Sequence, residues 1–349
     1  MKKLRPWILL AFALPVALWA TQEGVVFRDN QENMVVRYLS SWIANQVNAD
    51  TVKFRGEGNP FQGTWKSQGM EVRAKRIDGT AMRSKQGAYK LRSALLSGGV
   101  TVILKSADSG VTNTFKSPTV DFTQSDDEGV IKLKEGVTGT TKSGGKTTKM
   151  SANSGIATIE PLDSKSNNPV RTITLTGDAT VITTEGTKTT RVTSNQIHLT
   201  NKSESASVDL TGSPRIVFTD SNKDQVLTMT GSKGSASIAS LGSSSKDPLR
   251  GARLDGPVTL VMDTKMKAED GSLKPAKITG RAKELIYDKE RQVIELRGDV
   301  RIDGNLPTMD GVSLADIVIL KLDANQNVTE IEFRGSPGKS TMQEVKDDE

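Results

Sequence analysis

The 349-residue chain has no cysteine, one histidine and only 4% aromatic residues. Without cysteine there is no disulfide framework, no thiolate zinc site and no cysteine to carry a lipid, so stability has to come from strand pairing and packing. The lone histidine, His198, rules out a two-histidine metal centre. It sits in Gln196-Ile197-His198-Leu199, where strand alternation puts Ile197 and Leu199 on one face and His198 on the other, toward solvent. No Gly-x-Ser-x-Gly elbow occurs, so nucleophilic catalysis lacks its parts. Gly145-Lys146-Thr147 ends like a phosphate loop, but Thr140 stands where the first glycine belongs. Asp323-Ala-Asn325-Gln-Asn327 opens like a calcium loop, yet Val328 replaces the turn glycine and Arg334 the closing glutamate, which leaves a hairpin turn. Asp126, Asp127 and Glu128 read as a solvated turn beside Gly129 rather than a carboxylate pair for catalysis. The expectation is a non-enzyme with no catalytic residue, no metal and no cofactor.

Apolar residues are also scarce, at 35%, while Ser, Thr and Gly abound, a profile that suits narrow β-sheets better than thick α/β cores. The net charge of +6 is uneven. Between Lys66 and Lys105 nine basic residues meet only Glu71 and Asp78. Such a block suits nucleic acid, an anionic membrane or a phosphorylated glycolipid, or else is a solvated β-face.

Met1-Lys2-Lys3-Leu4-Arg5 followed by the uncharged apolar run Trp7 to Trp19, ending at Ala20, has the layout of a secretory signal or short signal anchor. Two fates fit it: cleavage after Ala20, or retention as an inner-membrane tether over residues 4–20. In either case the body faces the periplasmic side, which argues against nucleic acid as a partner of the basic block with Trp65 and Tyr89. From Asn30 to Val47, Met34, Tyr38 and Trp42 form one row at helical spacing and Val35, Leu39 and Ile43 the adjacent row. This spacing predicts an amphipathic helix capped by Asp29 or Asn30, covering the end of a sheet or lying on a membrane.

After Thr51 the pattern becomes short alternating runs broken by Gly, Asn, Asp and Ser. Stretches at Gly139 to Gly145, Ser164 to Pro169 and Leu241 to Pro248 read as loops, and Ser336 to Glu349 as a frayed tail. A unit of apolar-x-apolar-x-Gly-x-apolar-x-apolar recurs, as in Ile173-Thr-Leu175-Thr-Gly177-Asp-Ala179-Thr-Val181 and Ile294-Glu-Leu296-Arg-Gly298-Asp-Val300-Arg-Ile302. Its glycines, at 98, 136, 177, 212, 256, 298 and 335, are similarly but not identically spaced, which predicts stacked strand pairs that bend at glycine and keep one oily face.

The stretch Ile278-Thr-Gly280-Arg281-Ala282-Lys-Glu-Leu285-Ile286-Tyr287-Asp288, running on to Leu296-Arg-Gly298-Asp-Val300, resembles the OstA-like domain of the LptA and LptC family of periplasmic lipopolysaccharide-transport proteins. Met70-Glu-Val72-Arg-Ala74, leading to Leu96-Ser-Gly98-Gly-Val100, is a looser echo. The resemblance implies an all-β, elongated β-jellyroll or β-taco of stacked antiparallel strands. To this the chain adds the N-terminal export segment and one short amphipathic helix, which leave open an LptA-like bridge, an LptC-like tethered component or a fusion of both roles. The organisation expected is 1–20 export, 21–50 helical segment, 51–165 a weakly OstA-like β region, 170–335 the β-taco and 336–349 the tail. The function it implies is a periplasmic lipopolysaccharide bridge or conduit, with lipopolysaccharide and other Lpt-type proteins, joined by edge-strand pairing, as partners. The acyl slot would be lined by Leu254, Val258, Leu260, Ile294, Leu296, Val300, Ile302, Ile331 and Phe333, and the anionic headgroup met by Arg73, Lys75 and Arg76. The alternative is a structural or adhesive exported β-repeat protein in which the same apolar residues pack on one another as a sandwich core.

Overall fold

The computed structural model describes residues 19–21, 24–28, 34–65, 69–83, 89–105, 111–161, 170–202, 205–239, 249–267, 272–305, 309–323, 327–335 and 341–344. The apolar run up to residue 18, the expected cap at Asp29 or Asn30 and the expected loops at 164–169 and 241–248 lie outside these residues.

The described elements are strands, joined antiparallel in one 23-stranded sheet, so the all-β expectation holds. In chain order they are β1 (Trp19–Thr21), β2 (Gly24–Arg28), β3 (Met34–Asn48), β4 (Thr51–Trp65), β5 (Met70–Arg83), β6 (Tyr89–Lys105), β7 (Thr112–Gln124) and β8 (Gly129–Lys134). There follow β9 (Val137–Ser143), β10 (Lys146–Ala152), β11 (Ser154–Ile159), β12 (Val170–Glu185), β13 (Lys188–Asn201), β14 (Ser205–Thr211), β15 (Arg215–Asp220) and β16 (Gln225–Thr230). The last are β17 (Lys233–Ala239), β18 (Leu249–Lys267), β19 (Leu273–Asp288), β20 (Val293–Asn305), β21 (Met309–Leu322), β22 (Val328–Arg334) and β23 (Thr341–Glu344).

The long strands bend in the middle, and each half pairs in a different wall. In β12, Val170–Thr176 pairs with β11, while Thr180–Glu185 pairs with β10. In β13 the half after Ser194 pairs with β14 and the half before it with β15. The ladder slips at the bend, between Ser97 and Val100, Thr176 and Ala179, Asp255 and Val258, and Arg297 and Val300. Two residues on one strand there oppose one on its partner, the arrangement of a β-bulge. The repeated glycines of the sequence occupy these bends. Gly177 and Asp178 have φ of 79° and 51°, and Gly298 and Asp299 of 78° and 50°. Glycine enters this left-handed region without penalty, and aspartate tolerates it better than most side chains.

The bends stack into a spine. A methyl group placed on Gly177 would lie 2.5 Å from the Asn153 side chain, and one on Gly212 2.6 Å from Asn195. Backbone hydrogen bonds run along the same column, from Asn153 N to Gly177 O at 2.9 Å and from Asn195 N to Gly212 O at 3.1 Å. Buried serines close other corner carbonyls: Ser117 donates to Lys134 O at 2.6 Å and Ser194 to Thr211 O at 2.8 Å. The two walls diverging from this spine form the elongated jellyroll. Their inner faces are continuous cross-strand rows, a first wall of Leu96, Val120, Leu133, Leu175, Ile197 and Leu210, continuing to Leu254, Leu285, Leu296 and Val318. The facing row of the second wall runs Val102, Phe115, Met150, Val181, Val192, Ile216, Met229, Leu260 and Ile302.

Several expectations are corrected. The amphipathic helix is strand β3, paired with β4 along its length. Its β-branched and aromatic residues, among them Val35, Val36, Tyr38 and Trp42, suit a strand. Slips at Arg37/Leu39 and Leu39/Ser41 break the two-residue alternation, and the broken alternation imitates helical spacing. The Gly139–Gly145 loop is mostly strand β9, and only Gly144 and Gly145 make the hairpin turn, because its threonines pair with β10 and β7. In the expected tail, Thr341–Glu344 pairs with Met309–Val312. The ladder also passes without a break over the boundary expected near 165–170, since β12 pairs with both β10 and β11.

If the left-handed corner is what bends the strands, Gly177→Ala loses about 1–3 kcal/mol of stability from its backbone conformation, plus the clash with Asn153. Urea unfolding of the full chain measures this, and a wild-type midpoint would remove the corner from the account.

Candidate functional site

The inner rows contain glycines in both walls, and what fills the space beside each differs. A methyl group on Gly234 would meet Leu254 at 2.5 Å, one on Gly280 would meet Leu296 at 2.6 Å, and one on Gly56 would meet Leu39 and Trp42 at 2.9 Å. At these positions a large neighbour leans into the gap. At Gly155, between Leu133 and Leu175 in the first wall, a methyl group would meet Leu133, Leu175 and Val137 at 3.4, 3.5 and 3.6 Å, ordinary contact without overlap. The facing second wall has its own glycine one rung earlier, Gly139, over which Met150 folds.

A small apolar cavity of about 20 Å³, partly open to solvent, lies at this level between the walls. Val102, Leu104 and Phe115 line it from the second wall, and Ile131, Leu133, Ile159, Val170, Ile173 and Leu175 from the first. That is room for about one water, so a larger guest has to part the walls to enter. Beyond it toward the free edge, the inner face of the second wall turns polar. Asn113, Thr141, Thr148, Thr183 and Thr190 are successive cross-strand neighbours, with Thr141 donating to Asn113 at 2.7 Å and Thr148 and Thr183 hydrogen-bonded at 3.0 Å. Next to the edge stand Lys146, Glu185 and Lys188, again cross-strand neighbours. Burial holds Lys146 below the ordinary lysine range, with Glu185 opposing and Lys289 adding to the shift. Lys289, between β19 and β20, is lowered by burial and by Lys188, against Glu185.

The residues singled out for the slot face inward but lie away from this opening. Leu254, Leu260, Ile294 and Leu296 are fully enclosed, and Val258, Val300 and Ile302 nearly so, because they close on one another across a narrow part of the fold. Ile331 is half-buried against this core, and Phe333, on the last rung of the first wall, is 39% exposed. Hydrophobic alternation marks which face is inward but not how far apart the walls stand, so it cannot separate a filled section from a hollow one. The usable signal was the glycine at 155, which lies off the corner phase.

Arg73, Lys75 and Arg76 do not converge. The corner of β5 falls between them, placing Arg73 on the outer face of the second wall, Lys75 on the spine beneath Gly98 and Arg76 on the outer face of the first. Arg73 pairs with Glu71 at 2.6 Å, and Arg76 with Asp78 at 2.8 Å. Burial would raise the Asp78 carboxyl, but hydrogen bonds from Arg55 and Arg76 outweigh it and hold the group below its usual range. His198 takes the outer face as expected, with Nδ1 hydrogen-bonded to Thr174 Oγ1 at 2.7 Å and Nε2 to Thr200 Oγ1 at 3.3 Å. Asp126 lies in the turn after β7 and pairs with Arg92 at 2.6 Å.

No family model and no curated protein matches the chain.

The filled and hollow sections respond differently to substitution. Leu296→Ala leaves a void in a sealed core and costs about 2–5 kcal/mol, whereas Gly155→Ala adds a methyl at ordinary contact distance and costs less than about 1 kcal/mol. Thermal unfolding of both variants checks the contrast, and equal losses would contradict it.

Proposed function

We propose that the chain is a periplasmic bridge or conduit for lipopolysaccharide, holding acyl chains between its two walls at the level of Gly155. The observation that carries this reading is the small, partly open apolar cavity there, lined from both walls by Phe115, Leu133 and Leu175, in a fold whose inward glycines at 56, 234 and 280 are overlain by leucine or tryptophan. Hydrocarbon that enters by parting the walls gains about 0.8 kcal/mol per methylene removed from water. The cavity is partly open to solvent, which gives an amphiphile a way in with its head in water. The role is passive: binding and shielding, with no bond made or broken. The work between two membranes, and the pairing of end strands with other transport components, belong to the same proposal and rest on the resemblance of the Leu285 to Val300 region.

A second reading, a structural β-repeat protein without a lipid ligand, is favoured by the sealed interior of β18 to β21. The two readings part at Phe115. A photoreactive phenylalanine analogue there crosslinks to lipopolysaccharide under the first, and the same probe at Leu296 does not. Gly155→Leu, which fills the opening, weakens lipopolysaccharide binding at least about tenfold while circular dichroism stays that of the wild type. Absence of any crosslink at Phe115, with binding untouched by Gly155→Leu, would sink the conduit and leave the scaffold.

A further inference from the structure

The interior of the second wall is graded from spine to mouth in a way that apolar packing does not require. On β10 the inward positions run Ala152, Met150, Thr148 and Lys146, and on β12 they run Ala179, Val181, Thr183 and Glu185. On β13 the matching positions are Ser194, Val192, Thr190 and Lys188. Three adjacent strands thus present a small residue at the corner, an apolar one beside the slot, a threonine, and then a charged residue at the lip. The grading is local. From the next strand on, the threonine row is replaced by Phe218, Leu227 and Met262.

The charged row lies across the mouth from the slot's apolar wall. β12 is one bent strand: its first half carries Val170, Ile173 and Leu175 of the opening, and its second half ends at Glu185. Glu185 stands between Lys146 and Lys188. Lys289, from the turn leaving the first wall at Asp288, reaches the same group closely enough to interact electrostatically with Lys146, Lys188 and Glu185. Asp220, the next cross-strand neighbour of Lys188, is buried and engaged by Thr187 Oγ1 at 3.1 Å, the backbone N–H of Asn222 at 3.1 Å and Lys223 at 4.0 Å. Glu185 is flanked by Lys146 and Lys188, so this row sets two ammonium groups against one carboxylate, with Lys289 near enough to act on all three. Flexible ammonium groups gathered at the rim of a partly dry cleft suit a phosphate, whose oxygens accept several charge-assisted hydrogen bonds.

We propose that Lys146, Lys188 and Lys289 bind a phosphate group of the acylated ligand at the mouth of the slot, with Thr148, Thr183 and Thr190 meeting the polar atoms between phosphate and acyl chains. This rests on the slot reading above and replaces the cationic site expected at Arg73, Lys75 and Arg76. Order along the wall then matches order along an amphiphile: anion at the lysines, hydroxyl-bearing linker at the threonines, hydrocarbon at Phe115 and Leu175.

The test uses the full chain and three probes: lipid A with its phosphates, the same lipid A dephosphorylated, and inorganic phosphate alone. The triple variant Lys146→Gln, Lys188→Gln, Lys289→Gln is expected to lose about tenfold or more in affinity for phosphorylated lipid A, the weight of one charge-assisted hydrogen bond. Its affinity for dephosphorylated lipid A stays that of the wild type. Equal binding of both lipids by wild type and variant overturns the lysine site while leaving the slot standing. Failure of the wild type to bind either lipid overturns the slot itself. Inorganic phosphate binding as tightly as the phosphorylated lipid overturns the assignment to a lipid headgroup and leaves a free-anion site.

Discussion

The long strands of this protein turn through a corner near the midpoint, and on several of them that corner is a glycine with a left-handed backbone, often followed by a second left-handed residue. Gly177-Asp178 and Gly298-Asp299 are such pairs, and the strands between them need only a single residue such as Asn153, Asn195 or Lys283 to follow the bend. Because the corners stack and hydrogen-bond to one another, the bend is shared along the whole ladder. It gives two walls instead of one flat sheet, an interior along a single line, and a mouth opposite that line.

What fills the interior follows from this geometry. Near the spine the walls are close and small residues are needed, so Ala152, Ala179 and Ser194 stand beside larger residues such as Val137. Farther out the walls separate, and either large side chains span the gap or the gap stays open. Around β18 to β21 leucine and isoleucine span it completely. Around β6 to β12, Gly155 lies beside a small cavity of about 20 Å³ with room for a methyl at ordinary contact distance, and threonine takes the place of leucine on the opposite rim. Even a small apolar cavity inside a close-packed β-protein costs dispersion contacts. Its retention beside a hydroxylated and cationic lip is the reason for reading the middle of the molecule, not its better-patterned C-terminal part, as the place where a ligand sits.

The outer faces contribute differently. Ion pairs such as Arg55–Asp78, Arg253–Glu284 and Arg297–Glu295 join exposed guanidinium groups to carboxylates that are less exposed, Glu295 being buried, and neutralise much of the local charge. Solvent screens pairs of this kind, and they add little to stability. The basic block between Lys66 and Lys105, prominent in the linear sequence, is distributed by the β5 corner over different faces, and its Arg73 and Arg76 are matched by carboxylates. The three lysines of the mouth come from separate strands and turns, and no local run of sequence announces them.

Alternation and glycine phase, read along the chain, were enough to establish an all-β body, strands that bend at a recurrent glycine, and which face of each strand points inward. These are local properties: a period of two and a left-handed φ are decided within a few residues. The β3 region misled for the same reason, since bulges imposed by its pairing with β4 disturb a pattern that only pairing explains. Wall separation, the filling of one glycine gap and the small cavity beside another, and the meeting of Lys146, Lys188 and Lys289 were decided only by the folded ladder. Each depends on how far apart two walls stand and on which distant rungs twist toward one another, and those distances are set by the packing of the whole chain.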